Sequence, residues 1–235
     1  MTLRPLALTF TIILGLTNLR SYSSSAQTPP PPPRTPPPNQ TEPGGGLNPL
    51  NSSCESKNKS VKALVPAKNP VLTTNEHPTF LFYIPFDSQE IRYGEFSLLV
   101  WPQEKTRIYK TRFTLPQTPG VVSITLPSLP DHALEEDQFY HWYFKLYCQD
   151  KSSTQTDLAL NGWIQRVPLT PEREAQINSG TPDVWYDSLA KIAEELLASP
   201  QDTTLRDDWV NLLQVIDSED LAAEPMAGSV ILLED

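Results

Sequence analysis

Residues 139–148 read Phe-Tyr-His-Trp-Tyr-Phe-Lys-Leu-Tyr-Cys. Tyr140, Trp142, Phe144, Leu146 and Cys148 occupy alternate positions, so an extended chain puts all five on one face. The same period of two recurs on both sides. Phe80, Phe82 and Ile84 alternate with Leu81 and Tyr83, and Phe96, Leu98 and Val100 form the next face. Tyr109, Thr111, Phe113 and Leu115 follow, then Val122, Ile124 and Leu126, and finally Leu158, Leu160, Gly162 and Ile164. With the short stretch Val61–Val65 this makes about seven strands, separated by proline and polar breaks. Alternating βα units would space their strands further apart. The pattern predicts an antiparallel β-sandwich over residues 54–169, of immunoglobulin/fibronectin-like type.

After Pro168 the period changes to that of a helix. Thr170-Pro171-Glu172 reads as N-cap, N1 proline and first-turn acid, and Gly180 is placed to stop that helix. Thr181-Pro182-Asp183 repeats the start signal. Trp185, Leu189, Ile192 and Leu196 then form one apolar stripe, ended by Pro200. A third helix is expected from about Thr204, with Leu205, Trp209, Leu212, Leu213 and Ile216 on one face. Helices this short are not stable alone in water. Residues 170–225 are therefore expected to pack on the sandwich, with 226–235 as a tail. The fold class is mainly β with α: a sandwich followed by a small C-terminal helical module.

The N-terminal end gives an address. Arg4 precedes the apolar run Leu6–Leu16, and Ser24-Ser25-Ala26 offers small residues at a cleavage site, so residues 1–26 read as a signal peptide. The run is too short to span a bilayer, so no transmembrane segment is expected after cleavage. Residues 27–53 read as a disordered linker: Pro29–Pro33 and Pro36–Pro38 favour polyproline II, and Gly44-Gly45-Gly46 adds a joint. The expected destination is the periplasm or cell surface. Cys54 and Cys148 then form a disulfide or remain two free thiols, and an oxidising compartment favours the disulfide.

Charge separates the halves. Residues 27–169 carry 13 basic and 13 acidic side chains, whereas 170–235 carry 3 basic and 15 acidic. A net charge of −12 after cleavage opposes nucleic-acid and anionic-lipid binding. Lys105, Arg107, Lys110 and Arg112 form one basic run, read as charges guarding a sheet edge. His77, His132 and His141 are isolated, and the adjacent pairs Glu135-Glu136 and Asp207-Asp208 cannot face one another from neighbouring positions. No catalytic set, metal ligand set or cofactor motif is assigned.

Six stretches together resemble a known family: Ala63–Pro66, Leu72–Pro85, Thr118–Pro127, Tyr140–Cys148, Asn161–Val167 and Asp183–Leu196. The family comprises exported cyanobacterial proteins and is known only as domain of unknown function 928. The likeness covers about residues 60–225. It implies an envelope location and places cysteines where Cys54 and Cys148 stand. It implies no activity and no functional residues. The run from Ser128-Leu129-Pro130 to Trp142 also resembles fibronectin-type modules, in which a leucine turn precedes a Tyr-x-Trp strand.

The expected function is that of a non-enzymatic binding or interaction module, with a protein or glycan partner in the cell envelope. Its surface would be the apolar or aromatic area that sandwich and helices leave uncovered. Arg166, beside Trp163 at the sheet–helix junction, is the candidate anchor, unless it pairs with a helix carboxylate. The rival reading is an envelope polysaccharide or peptide hydrolase with its site at that junction.

Overall fold

A computed structural model describes residues 60–67, 71–148, 158–179 and 183–233. The signal peptide, the linker, Cys54, Gly180 and the Thr181-Pro182 start signal lie outside the described residues.

The alternating runs form strands β1 (Lys62–Ala63), β3 (Thr79–Ile84), β4 (Ile91–Val100), β5 (Arg107–Thr114), β6 (Gly120–Thr125), β7 (Phe139–Cys148) and β8 (Leu158–Arg166). Three further strands are β2 (Val71–Thr73), β9 (Met226–Ser229) and β10 (Ile231–Leu232). They assemble into two sheets, one in the order β1-β3-β6-β9 and the other β10-β5-β4-β7-β8-β2.

The pairing is not wholly antiparallel. β2 runs parallel to β8, and β9 runs parallel to β6. The expected tail at 226–235 is also corrected, because residues 226–232 add one strand to each sheet. Gly228, at φ +89, supplies a backbone turn that other residues avoid, and Val230 is buried between the two short strands. Segments of two to four residues are too short to show a period, and long-range pairing alone makes them strands.

The inner faces of the sheets meet through aromatic rings. Phe82 stacks on Phe144 at 4.0 Å, Phe80 lies 4.9 Å from Phe96, and Trp142 meets Phe82 edge-on at 5.6 Å. Two glycines make room for large rings on the strand alongside. Gly162 lies opposite Trp142, and a Cβ there would stand 2.4 Å from its Cζ2. Gly94 lies opposite Phe113, and a Cβ would fall 2.1 Å from that ring. Gly162→Ala should therefore destabilise the protein by about 1–3 kcal/mol, read as a lowered urea midpoint. An unchanged midpoint would mean the Trp142 ring can move aside.

The helices are α1 (Pro171–Ser179), α2 (Trp185–Ala198) and α3 (Thr203–Val215). α3 starts one residue before the expected position, where the Asp202 side chain accepts from the Thr204 and Leu205 backbone N–H groups. Along α2, Trp185, Leu189, Ile192 and Leu196 are all buried, as are Trp209 and Leu213 of α3. These side chains share one core with the sheets. Polar links fix the contact. The Trp185 indole donates to the Leu64 carbonyl at 2.8 Å, and the Trp142 indole donates to the Tyr186 hydroxyl at 2.9 Å. Asp187 accepts from both the backbone and the hydroxyl of Thr74, at 3.0 and 2.8 Å. No helix among the described residues is long and apolar enough to cross a membrane.

Candidate functional site

Arg166 ends β8 and turns inward to its own loops. Its Nη1 donates to the Leu134 carbonyl at 2.6 Å, and its guanidinium stands 3.6 Å from Glu76 and 3.7 Å from Glu136. It ties the β2–β3 and β6–β7 connections to the second sheet. The carboxylates it meets belong to loops, not to a helix. Its partner on β2 is Thr73, and the next residue, Thr74, bonds Asp187 of α2.

His77 and His132 meet the backbone carbonyls of Leu129 and Ile108, at 3.1 and 2.6 Å. His141 is different. It lies on the outer face of β7, where Nδ1 meets Glu104 at 2.5 Å and Nε2 meets the Asn161 side-chain oxygen at 2.9 Å. The Tyr143 hydroxyl donates to the second Glu104 oxygen at 3.0 Å, and Trp163 stacks on the imidazole at 4.1 Å. A His–carboxylate pair is a familiar part of acid–base sites. In this cluster both ring nitrogens are held by oxygens, and no serine, threonine or cysteine side chain hydrogen-bonds to the imidazole among the described residues. Glu104 sits in the β4–β5 turn at φ +53, so the cluster links that turn to the sheet.

Burial lifts the Tyr143 phenol, Glu104 adds to the effect, and its pKa is pushed up to about 12. The fold thus favours the neutral phenol. That stabilisation is whole below the ordinary tyrosine value of about 10 and is lost as pH climbs through about 12. The urea midpoint should fall across this window, and fall less in Tyr143→Phe. Equal falls in both proteins would contradict the assignment.

The basic run does not guard an outer edge throughout. β10 pairs with β5 at Phe113 and Thr114, because the chain returns to cover that end of the strand. Lys110 pairs instead with Glu95 at 3.1 Å, and Arg112 lies over the Tyr93 ring at 5.4 Å.

A wide depression lies elsewhere. α2, α3 and residues 222–226 enclose a groove of about 740 Å³ lined by Leu196, Leu197, Pro200, Trp209, Val210 and Pro225, among others. A second depression of about 330 Å³ runs between α2 and the outer face of β3, β6 and β9. Both are lined by Leu197 and Met226, so they are neighbours, and together they are called the trough below. Its size is that of a ligand site. Leu197 is 47% exposed although it is a leucine on a packed helix. Trp209 lines the groove, is 2% exposed, and its buried indole N–H has no acceptor. Such an orphan is costly and rare. Among the described residues no three His, Cys, Asp or Glu side chains gather to hold a metal ion.

Sequence reasoning gives none of the trough residues a binding role, and it reads Trp209 as a core anchor. The available hint is Leu197, which follows the Trp185–Leu196 stripe but lies off it and before Pro200.

Two packed sheets, three helices and an apolar trough define a β-rich class of protein with an added helical layer. The family model described as Domain of Unknown Function (DUF928) matches residues 42–226, and the chain belongs to that family. No curated protein matches the chain.

Proposed function

We propose that this is an exported, non-enzymatic binding module of the periplasm or cell surface, and that the trough between α2, α3 and β9 is where it holds its partner. The observation that carries the reading is the exposed apolar surface at Leu197, in a groove it shares with Val210, Pro225 and Met226. Apolar area of this kind is what a binding surface leaves open.

A photo-crosslinking residue at position 197 in the native envelope should give a discrete adduct, and one at Lys110 on the far sheet should not. Absence of an adduct at 197, or hydrolysis of envelope polysaccharide or peptide by the purified protein, would overturn the proposal.

Export belongs to the same proposal. The mature chain should begin near Gln27 by N-terminal sequencing, and a membrane-retained chain still starting at Met1 would count against it.

The two sheets fit an immunoglobulin-type sandwich. β1-β3-β6 parallel the A-B-E order and β5-β4-β7-β8 the C′-C-F-G order of that fold. Tyr140, near the start of β7, accepts from the Glu135 backbone N–H at 2.8 Å, which is the arrangement of a tyrosine corner.

A Cys54–Cys148 disulfide fits this compartment. Cys148 is buried at the end of β7, and no described cysteine is a free thiol. Peptide mapping without reductant should recover the two cysteines linked. Reduction should then cost up to about 4–5 kcal/mol of stability.

A further inference from the structure

We infer that the trough takes a cationic amphipathic segment, an apolar stripe flanked by lysine or arginine, from a partner protein. This rests on the proposed function and adds the chemistry of the partner. Two features of the site point to it.

The floor and walls are apolar, with Leu196, Leu197, Val210, Pro225 and Met226 facing the same space. An apolar stripe of a partner is what removes such surface from water. The rim is acidic. Glu194 and Glu224 line the trough, and exposed Asp207 stands one helical turn before Val210. These acids belong to the segment that carries 15 acidic and 3 basic residues, so the field over the trough is negative. Arg206, the cation among the described lining residues, hydrogen-bonds to the segment that follows α2. Its Nε donates to the Pro200 carbonyl at 2.9 Å and its Nη2 to Gln201 at 3.4 Å.

Trp209 lines the same groove with a buried ring, so its indole reports on what enters there. A glycan or a lipid tail would leave either the apolar stripe or the acidic rim unmatched.

The test titrates the full mature protein with two end-blocked helical peptides. One is built of leucine and lysine, and in the other every lysine is replaced by glutamate. The lysine peptide should bind, more weakly as salt rises, and the glutamate peptide should not bind. Leu197→Asp should weaken the lysine peptide about tenfold, even though it makes the protein more acidic. Ala223→Asp, exposed on the opposite wall, should act in the same direction. Val215→Asp, on an exposed position of α3 that does not line the trough, should cause no weakening.

If Leu197→Asp leaves binding unchanged or tightens it, the peptide is only adsorbed on surface acids and the inference is wrong. If both peptides bind equally and Leu197→Asp weakens both, the trough binds without charge preference. That outcome overturns the inference and leaves the proposed function standing. Binding of neither peptide also overturns it, and the crosslink at position 197 then decides the proposed function separately.

Discussion

Ending the chain after Pro168 is expected to abolish cooperative unfolding of the two sheets. The cut removes β9 and β10, so each sheet loses a strand. It also removes Trp185, Tyr186, Leu189, Ile192 and Trp209 from the shared core. Each such side chain contributes about 1.5–3 kcal/mol when buried. Whole domains are stable by only about 5–15 kcal/mol. Polar costs add to this, because the Trp142 indole loses the Tyr186 hydroxyl and the Leu64 carbonyl loses the Trp185 indole. Urea unfolding followed by tryptophan fluorescence should show a clear transition for the longer protein and none for the shortened one. Equal midpoints would mean that the helices and the sheets are separate units.

Trp142→Ala is expected to cost about 3–5 kcal/mol, the range for removing a large buried aromatic side chain. Trp142 is fully buried, fills the space that Gly162 leaves, and touches both Phe80 and Phe82. Its hydrogen bond to Tyr186 joins sheet to helix. Tyr186→Phe leaves that indole N–H buried without its acceptor, so it should cost about 1–3 kcal/mol. Denaturant midpoints of the two single variants and the double variant measure the coupling. Additive effects would show that the hydrogen bond contributes nothing to the docking of α2.

The long strands are legible in the sequence because each repeats large apolar residues with period two. β7 alone sets Tyr140, Trp142, Phe144 and Leu146 on one face, and no helix can do that. The stripes of α2 and α3 are legible for the matching reason, and Trp185 and Trp209 are buried in the structure. Pairing at a distance leaves no such trace. Val71–Thr73 becomes a strand only because β8 lies alongside it, and Met226–Leu232 only because β6 and β5 do. The cluster around His141 has the same origin. His141 reads correctly as facing away from the Trp142 side, but Glu104 reaches it from a turn with no local pattern. The trough is hidden for a related reason. Its walls come from two helices and a short connecting segment, and only their packing leaves Leu197 uncovered.

The most direct test of the central claim is a ¹⁵N-edited spectrum of the five tryptophan indole N–H groups during titration with the leucine–lysine peptide. The Trp142 and Trp185 protons are already bonded inside the core and should hold still. Trp163 also has a buried N–H without an acceptor, but it sits against His141 on the far sheet. If the trough is the binding site, the Trp209 resonance moves in proportion to peptide bound while Trp163 stays fixed. If Trp101 and Trp163 move and Trp209 does not, the peptide binds the outer face of the second sheet and the trough is not the binding site.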